Sequence, residues 1–496
     1  MKKILMINWD NYPNFSSGGV YTWEKTFIEG MPENEFIVLN QLSNPNISAI
    51  YSLPKNVSRV IEVPLFGTNR FEEFSRRDGP LVTKIIRTTD STVKKNFLPM
   101  FQEFLGNILA DRQQPELIKD SIFKIHKFLI SHDAKKCLEH PGAWEVFLKL
   151  VRQDPLYSQM GLREALGAFQ FFQRGLQIIS MEIPKVDIVH SSLVWFPSMA
   201  ALCAKKEHGS KLVVTEHGVA FREQLLYYNT QYQDDATKIL WKSLARNIIA
   251  TIYAEADAIV PVCNANALWE KMLGANESRI RVIYNGISLN KFKPIKTDSP
   301  NERPTISSVA RIDGFKDIPT LIRSVHYVRE KIPNIQCLLY GGSIDLEYSI
   351  KCVNLVKNLR LEGNFKFMGS TKEPERAYNI GDVVALTSIA EGFPFSVIEA
   401  MACGKAIVAA DVGGVAEALE GCGLLVSSRN PQEMANAIVE LLRNEKKRSE
   451  LGDLALKRAR ERFSLEKSID QYRDLYDELL GTPKKSLRGP EIKVPQ

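Results

Sequence analysis

The sequence has no uninterrupted apolar run long enough to cross a bilayer, although 44% of its 496 residues are hydrophobic. Residues 1–10 resemble a signal peptide only superficially, because their apolar stretch is short and ends at Asp10. We therefore interpret this segment as a buried first strand rather than as a leader or an anchor.

Cysteine is scarce, and the seven cysteines show neither paired spacing nor the intervals of a zinc site. Several lie in apolar surroundings, among them Cys203, Cys337 and Cys403. The odd number and the apolar neighbours argue against a disulfide framework. The sequence thus predicts reduced, packed thiols in a cytoplasmic protein without a metal site.

A strong excess of charge of one sign is also missing, since the formal net charge is +6. Such a mild charge permits anionic substrates or a membrane surface without requiring either. The chain has no recognised nucleic-acid motif and no cluster of basic and aromatic residues, so we expect no nucleic-acid partner. Peripheral contact with the inner membrane face or with a membrane-protein partner, through basic segments such as residues 84–95, stays open.

The chain is too long for one hydrophobic core and predicts two or three domains. Short apolar strands alternate with helical patterns in two successive series, which predicts parallel sheets with helices on both faces. The predicted strands cover residues 3–9, 35–40, 186–190, 211–215, 256–264 and 281–287 in the first series, and 305–310, 335–340, 364–369, 383–386 and 406–410 in the second. The predicted fold class is α/β, with two doubly wound, Rossmann-like domains that bind ligands in the cleft between them.

Further segments complete the organisation of the chain. Apolar residues at helical spacing predict a helical insertion in the first domain at about residues 99–180. The polar, proline-bearing residues 293–304 predict an interdomain linker. The basic tail has three prolines and no core pattern, so we expect disorder there. The predicted units are residues 1–295 (first domain), 302–462 (second domain), 463–480 (final helix) and 481–496 (tail).

One stretch of the second series carries a chemical signal. The strand over 383–386 ends in a loop with Glu391, Gly392 and Pro394, and a helical pattern with Glu399 follows. The first N–H groups of such a helix are unpaired and carry partial positive charge, which suits a phosphate. Two carboxylates beside a phosphate make sense where they bind neutral hydroxyls, such as those of a ribose and a sugar. Taken alone, the stretch is equally compatible with a surface loop acid and a solvated helix acid.

Other residues lie where an open α/β sheet places its chemistry. Gly18 and Gly19 follow the first strand and let backbone approach a ligand closely, although the dinucleotide-binding spacing G-x-G-x-x-G is absent. His217 follows a strand of the first series and precedes a glycine, and Arg311 and Lys316 follow the first strand of the second series. The structural alternatives are a tight turn, a structural histidine and two surface cations.

The motifs together resemble the retaining glycosyltransferases of the GT-B fold, in the large family 4 group. The stretch from Glu391 to Glu399 is similar to the family's E-x7-E signature, and Arg311 and Lys316 match its Arg and Lys. Residues 282–287 and 408–414 are similar to its strand before the linker and its late Gly-rich segment. The PelF-type exopolysaccharide glycosyltransferases are further resembled by residues 11–13, 18–20, Trp23, the helical insertion and residues 215–218, whereas residues 8–10 and 15–17 differ from them.

The resemblance implies a role for each matching residue. Arg311 and Lys316 would clamp the donor diphosphate and stabilise the leaving group as charge develops. Glu391 would contact the donor sugar, with His217 beside it at the reacting centre, so that these four residues form the catalytic set. The remaining donor contacts would come from Glu399, which would bind the ribose, and from backbone of Gly18, Gly19, Gly392, Phe393, Ser396 and Val397.

The resemblance also implies the reaction. The expected enzyme is a retaining hexosyltransferase of polysaccharide biosynthesis, with UDP-glucose or a related UDP-hexose as donor and a glycan or glycoconjugate as acceptor. It would use neither a metal nor a cofactor, because protein cations and helix dipoles stabilise the charge. Closure of the two domains, with the final helix crossing back to the first, would exclude water. A GT-B sugar-nucleotide epimerase and an inactive binding scaffold are the alternatives.

Overall fold

The computed structural model of the chain describes residues 1–14, 18–43, 53–65, 81–295, 302–343 and 345–482. Two six-stranded sheets form its framework, and their strands pair in parallel. The first sheet contains β1 (Lys3–Trp9), β2 (Glu35–Leu42), β3 (Val57–Pro64), β4 (Ile188–Ser191), β5 (Lys211–Glu216) and β6 (Ala258–Pro261). The second contains β7 (Thr305–Val309), β8 (Gln336–Tyr340), β9 (Phe365–Gly369), β10 (Val383–Leu386), β11 (Ala406–Ala410) and β12 (Leu424–Val426).

Both sheets have the same topology. Their strand orders are β3-β2-β1-β4-β5-β6 and β12-β11-β10-β7-β8-β9. In each sheet the first and fourth strands in chain order are neighbours, and the order reverses between them. Open α/β sheets bind ligands at this switch point, beyond the carboxyl ends of the strands. The predicted pair of doubly wound α/β domains is confirmed, while the domain boundaries stay predictions.

The central strands of the first sheet are buried on both faces, which is why they are mostly apolar. Ile4 and Met6 of β1 point into one core, and Leu5 and Ile7 point into another, and all four are fully buried. The connecting helices of this domain are α1 (Gly19–Glu29), α9 (Met199–His208), α10 (Ala220–Gln231), α11 (Asp235–Glu255) and α12 (Asn264–Met272).

The helical insertion lies between β3 and β4 and begins earlier than predicted. Helices are present from residue 81 rather than from about residue 99, because the first ones are too short to show a helical period. The helices of the insertion pack into the same hydrophobic core as one face of the first sheet. The insertion contains α2 (Leu81–Arg87), α3 (Asp90–Thr92), α4 (Leu98–Ile108), α5 (Pro115–Leu129), α6 (Ala134–Leu138), α7 (Pro141–Gln153) and α8 (Leu162–Gly175), with a π-helix (Val93–Phe97) before α4 and a 3-10 helix (Leu176–Ile179) after α8.

The basic residues 84–95 do not form a uniform cationic surface. Lys84 is buried, and Lys94 forms an ion pair with Asp90 at 3.0 Å. A membrane contact through this segment stays a prediction. Among the described residues, no helix combines the length and the apolar character that a bilayer crossing requires.

Residues 281–287 are not a strand of the first sheet, contrary to the prediction. They run beside β6, where Arg281 N donates to Ile259 O at 2.9 Å and Ile283 N to Pro261 O at 3.1 Å. The chain then leaves the sheet to reach the second domain, so no continuous ladder forms. Two edge strands, β3 and β12, were not predicted, because β3 carries charged residues and β12 has three residues only.

The helices of the second domain are α13 (Ile318–Lys331), α14 (Leu346–Asn358), α15 (Pro374–Ile380), α16 (Phe395–Ala402), α17 (Val415–Leu419), α18 (Pro431–Arg443) and α19 (Glu445–Arg462). The last helix, α20 (Leu465–Leu480), returns to the first sheet. There Tyr476 Oη lies 2.5 Å from Nδ1 of the buried His190, and Arg473 Nε donates to Glu33 Oε1 at 2.8 Å. Gly481 ends the helix with φ +64°, and the rest of the tail predicted to be disordered, residues 483–496, lies outside the described residues.

All seven cysteines are buried and none forms a disulfide. Burial raises the pKa of several of these thiols, for example that of Cys137 to about 12. The prediction of packed thiols is confirmed, and their reduced state stays a prediction.

Candidate functional site

The candidate site lies at the switch point of the second sheet. The loop after β7 carries Arg311 and Lys316, and the loop after β10 carries Glu391. Two hydrogen bonds hold these loops together: Ile389 N donates to Phe315 O at 2.8 Å, and Thr387 Oγ1 donates to Lys316 O at 2.9 Å. Neighbouring strands thus bring together residues that are far apart in the chain.

Lys316 and Glu391 form an ion pair, with 2.5 Å between Nζ and Oε1. Their side chains are 20% and 10% exposed, so the pair faces the cleft from a largely buried position. Arg311 instead pairs with Asp313, with 3.1 Å between Nε and Oδ2, and its side chain is 57% exposed. Each predicted cation therefore has its own carboxylate partner, and Asp313 is a site residue that the sequence reasoning missed.

The start of α16 closes this side of the site. Its N-cap, Pro394, provides no side-chain acceptor, and Val397 N donates to Pro394 O at 3.2 Å. The Val397 side chain is buried in the core, whereas Ser396 is only partly buried. The two predicted contacts, from the backbone N–H groups of Ser396 and Val397, stay predictions.

Gly392 and Phe393 make the contact between the two domains. A Cβ at position 392 would overlap the carbonyl oxygen of His217, so only glycine fits there. The Gly392 carbonyl accepts from Gly414 N at 2.7 Å, and the carbonyl of the buried Phe393 accepts from Asn285 Nδ2 at 2.8 Å. The predicted sugar-binding residues are therefore also among the residues that connect the two domains.

Glu399 lies on α16, and its partner belongs to the same domain. Its Oε2 accepts a hydrogen bond of 2.8 Å from the fully buried Tyr378 on α15. Burial raises the pKa of Glu399 to about 7, although the Tyr378 hydroxyl and the charge of Lys291 act in the opposite direction. Tyr378 was not predicted, and no local pattern connects it with Glu399.

The first domain supplies the opposite wall. Gly18 has φ +120°, a conformation that side chains rarely adopt, and Gly19 packs directly against the Phe395 ring of α16. The His217 ring makes an edge contact with Trp23, with 4.6 Å between ring centroids, and neither ring nitrogen has a partner in the part of the chain that the structure describes. Burial lowers the pKa of His217 to about 3, against a smaller opposing effect of the Asn285 amide, so the imidazole is neutral at physiological pH.

A buried carboxyl group lies at the switch point of the first sheet. Glu24 on α1 is fully buried and accepts from Asn8 Nδ2 at 2.8 Å and from the Ser192 hydroxyl. Burial raises its pKa to about 8 despite these hydrogen bonds. Glu24 thus ties the end of β1 to the end of β4 beneath the Gly18–Gly19 loop, a role that its place in a helical pattern did not reveal.

Within the described ranges, no group of three or more His, Cys, Asp and Glu residues is arranged to hold a metal ion. Glu216 lies buried at the end of β5, where burial and the charge of Glu270 raise its pKa. Contacts across the site join Gly392 to His217, Gly19 to Phe395 and Lys316 to Glu391. The ligand-binding roles predicted for Gly18, Gly19, His217, Arg311, Lys316, Glu391, Gly392, Phe393, Ser396, Val397 and Glu399 stay predictions.

Two known families match the chain. The family described as "Domain of unknown function (DUF3492)" matches residues 2–278, and the family described as "Glycosyl transferases group 1" matches residues 290–458. The first match covers more than half of the chain, and together the two extend over both sheets.

Curated relatives are named as glycosyltransferases. The chain is 28% identical over 309 residues to D-inositol 3-phosphate glycosyltransferase from Rhodococcus erythropolis, which is 58% of this chain and 67% of that protein. It is 29% identical over 258 residues to N,N'-diacetylbacillosaminyl-diphospho-undecaprenol alpha-1,3-N-acetylgalactosaminyltransferase from Campylobacter jejuni, which is 48% of this chain and 66% of that protein. The chain thus spans about two thirds of the length of these relatives.

Solved structures share the fold over nearly the whole chain. Sucrose-phosphate synthase from Thermosynechococcus elongatus matches with a TM-score of 0.63 at 19% identity, over 97% of this chain and 100% of that one. Anabaena HepE in complex with UDP matches with a TM-score of 0.60 at 16% identity, over 96% of this chain and 100% of that one. At such identities the likeness shows the fold alone. From these matches, the chain belongs to the DUF3492 family, its residues 290–458 match the group 1 glycosyl transferases, and its fold is GT-B.

Proposed function

We propose that the protein transfers a hexosyl group from a nucleoside diphosphate sugar, UDP-glucose or a related UDP-hexose, to a glycan or glycoconjugate, with retention of configuration. The observation that carries the proposal is the Lys316–Glu391 pair at the switch point of the second sheet. In this pair a cation, which suits a diphosphate, lies beside a carboxylate, which suits sugar hydroxyls. The curated glycosyltransferases and the UDP complex of Anabaena HepE support this choice of donor.

The proposed roles follow from the geometry of the site. Lys316 leaves Glu391 to bind the diphosphate, and Arg311 turns from Asp313 to join it, so that negative charge on the leaving group is stabilised without a metal. Glu391, released from the ion pair, accepts hydrogen bonds from the sugar hydroxyls. Glu399 binds the ribose, and the neutral His217 lies against the sugar from the other domain.

We favour glycosyl transfer over a sugar-nucleotide epimerase and over an inactive binding scaffold. An epimerase shares the fold, but the match to the group 1 family and the E-x7-E spacing favour transfer. A scaffold without activity would not need Lys316, Glu391 and Glu399 around one cleft. The proposed place in polysaccharide biosynthesis and a peripheral membrane contact rest on the sequence resemblance alone.

A thermal-shift panel tests the donor site. UDP, GDP, ADP and their hexoses are compared on the wild-type protein, on Lys316→Ala and on Lys271→Ala, whose ion pair with Glu277 is largely exposed. A ligand selective for the folded state raises the unfolding temperature by mass action. We expect a uridine ligand to stabilise the wild type and Lys271→Ala and to have little effect on Lys316→Ala. Absence of any nucleotide effect on the wild type would support the scaffold instead.

A further inference from the structure

An unassigned carboxylate lies beside His217. The helix α10 begins three residues after this histidine, and Glu223 lies in its first turn. The Glu223 side chain folds back over the chain that carries His217, so closely that a Cβ at Gly218 would overlap its carboxylate. Gly218 has no side chain and therefore leaves room for the Glu223 carboxylate.

Charged groups of both domains face Glu223. Arg222 and Glu216 belong to the first domain, and Arg311, Lys316 and Glu391 approach from the second. The neighbouring Arg222 spans the cleft, where its Nη2 lies 3.4 Å from Ile389 O in the loop that carries Glu391. The first turn of α10 therefore stands directly opposite the proposed diphosphate site.

The Glu223 carboxylate forms no hydrogen bond or ion pair with any other described residue, although three cations lie close enough to act on its pKa. Arg311 pairs with Asp313 and Lys316 pairs with Glu391, so neither uses Glu223. Glu223 is exposed, so its carboxylate is accessible to a hydroxyl group that enters the cleft. An accessible carboxylate without a partner can accept a hydrogen bond, and then a proton, from that hydroxyl.

We propose that Glu223 is the catalytic residue that binds the attacking hydroxyl of the acceptor and takes its proton. The acceptor oxygen forms a bond to the anomeric carbon while the bond from that carbon to the phosphate oxygen breaks. The electron pair of the broken bond leaves with the nucleoside diphosphate, and the hydroxyl proton passes to Glu223 and then to solvent. This inference rests on the proposed function and adds the acceptor side to it.

The position of Glu223 also bears on stereochemistry. The carboxylate faces the cations that would hold the leaving diphosphate. A hydroxyl bound to it therefore approaches the sugar from the side of the leaving group, which gives retention. Arg222 helps by holding α10 against the loop of Glu391.

Hydrolysis of UDP-glucose, or of the nucleotide hexose that the thermal-shift panel selects, tests the proposal without a known acceptor, because water then supplies the attacking hydroxyl. Release of UDP is measured for the wild type, Glu223→Gln, Glu223→Ala and Glu145→Gln, a control on the exposed side of α7. General-base catalysis contributes about 10²- to 10⁴-fold. We expect kcat of Glu223→Gln to fall by about 10²-fold or more, with the KM for the donor within about twofold and Glu145→Gln unchanged.

Two further readouts distinguish a proton acceptor from a structural residue. The wild-type kcat should fall at acidic pH as Glu223 becomes protonated, and the residual rate of Glu223→Gln should lack this dependence. Formate should restore part of the rate of Glu223→Ala by supplying the missing carboxylate. A near wild-type kcat in Glu223→Gln, or a reduced kcat with an unchanged pH profile and no formate rescue, would overturn the inference. A wild-type protein that neither binds nor hydrolyses any nucleotide sugar would instead overturn the proposed function, and this inference with it.

Discussion

Lys316 Nζ and Glu391 Oε1 lie 2.5 Å apart, although 75 residues separate them in the chain. The parallel strands β7 and β10 are neighbours, and the loops at their carboxyl ends bring the two charges together. Each residue thereby holds the other's side chain in the position from which a donor would be bound. In the proposed function, donor binding separates the pair, and each member exchanges its partner for groups of the donor.

Lys316→Ala should weaken both nucleotide binding and folding. The substitution leaves Glu391, 10% exposed, without its partner, and an unpaired buried charged group costs about 1–3 kcal/mol or more. Urea unfolding measures the loss. The matched control is Lys271→Ala, which removes an ion pair to Glu277 of similar length but 38% and 77% exposed, and should cost less than about 1 kcal/mol. Equal decreases in the free energy of unfolding would show that burial of the Lys316–Glu391 pair does not increase its contribution to stability.

Nucleotide affinity should depend on pH through Glu399. Its pKa is raised to about 7, mainly by burial, and the groups around it are Tyr378, Lys291 and Glu375. The ionised carboxylate is the better acceptor for ribose hydroxyls, so affinity should rise as the pH increases through about 7. Calorimetric titration of UDP at several pH values checks this, with Glu399→Gln as the comparison. The same pH dependence in Glu399→Gln would assign it to another group.

Glu24→Gln should make folding stability less sensitive to pH. The pKa of Glu24 is raised to about 8 by burial from an ordinary value of 4.5, so the unfolded chain loses this proton at a lower pH than the native protein. The wild type therefore loses stability as the pH rises from about 4.5 to 8. The amide keeps the hydrogen bonds to Asn8 and Ser192 without titrating. Unfolding temperatures of the two proteins should agree near pH 5 and differ in favour of Glu24→Gln above pH 8, and a constant difference would contradict the assignment.

Tyr476→Phe should loosen α20 from the first domain. The Tyr476 hydroxyl lies 2.5 Å from Nδ1 of His190, which is fully buried and bonded through Nε2 to Thr215 at 2.7 Å. Removing one partner of a buried hydrogen bond costs about 1–3 kcal/mol. The half-buried Tyr327→Phe on α13 serves as control in urea unfolding. A loss no larger than that of the control would mean that the hydroxyl contact contributes little.

Gly392→Ala should separate the domains around the site. The new methyl group would overlap the His217 carbonyl oxygen, whereas a Cβ at Gly363 meets no atom within 4 Å. We expect donor turnover to fall by at least about tenfold in Gly392→Ala and to stay unchanged in Gly363→Ala, with similar circular dichroism. Small-angle scattering should show a larger radius of gyration for Gly392→Ala alone. An active Gly392→Ala would show that this contact is dispensable.

Much of the fold follows from periodicity in the sequence. The strand over 383–386, its loop and α16 were predicted because a buried strand, a Gly- and Pro-bearing turn and a helical pattern are all local signals. The edge strands β3 and β12 lack that signal, since one alternates with charged residues and the other is too short. Residues 281–287 have the composition of a strand but leave the sheet edge to connect the domains.

The partners of the site residues could not be predicted, because they are set by packing. The contact of Lys316 with Glu391 requires β7 and β10 to be neighbours, and the contact of Glu399 with Tyr378 requires α15 to pack on α16. Glu223 had a usable signal, since it lies in the first turn of the helix that follows His217 and the end of β5. Only the side-chain geometry shows that its carboxylate is directed back toward the cleft.

The turnover of UDP-glucose followed by proton NMR tests the central claim most directly, because the anomeric signals show where the hexosyl group goes. With wild-type protein we predict UDP and α-configured glucose as the first products, and neither above background with Lys316→Ala. A new UDP-hexose without UDP release would identify an epimerase, and an unchanged spectrum with UDP-glucose and the other nucleotide hexoses would contradict a donor site at Lys316 and Glu391.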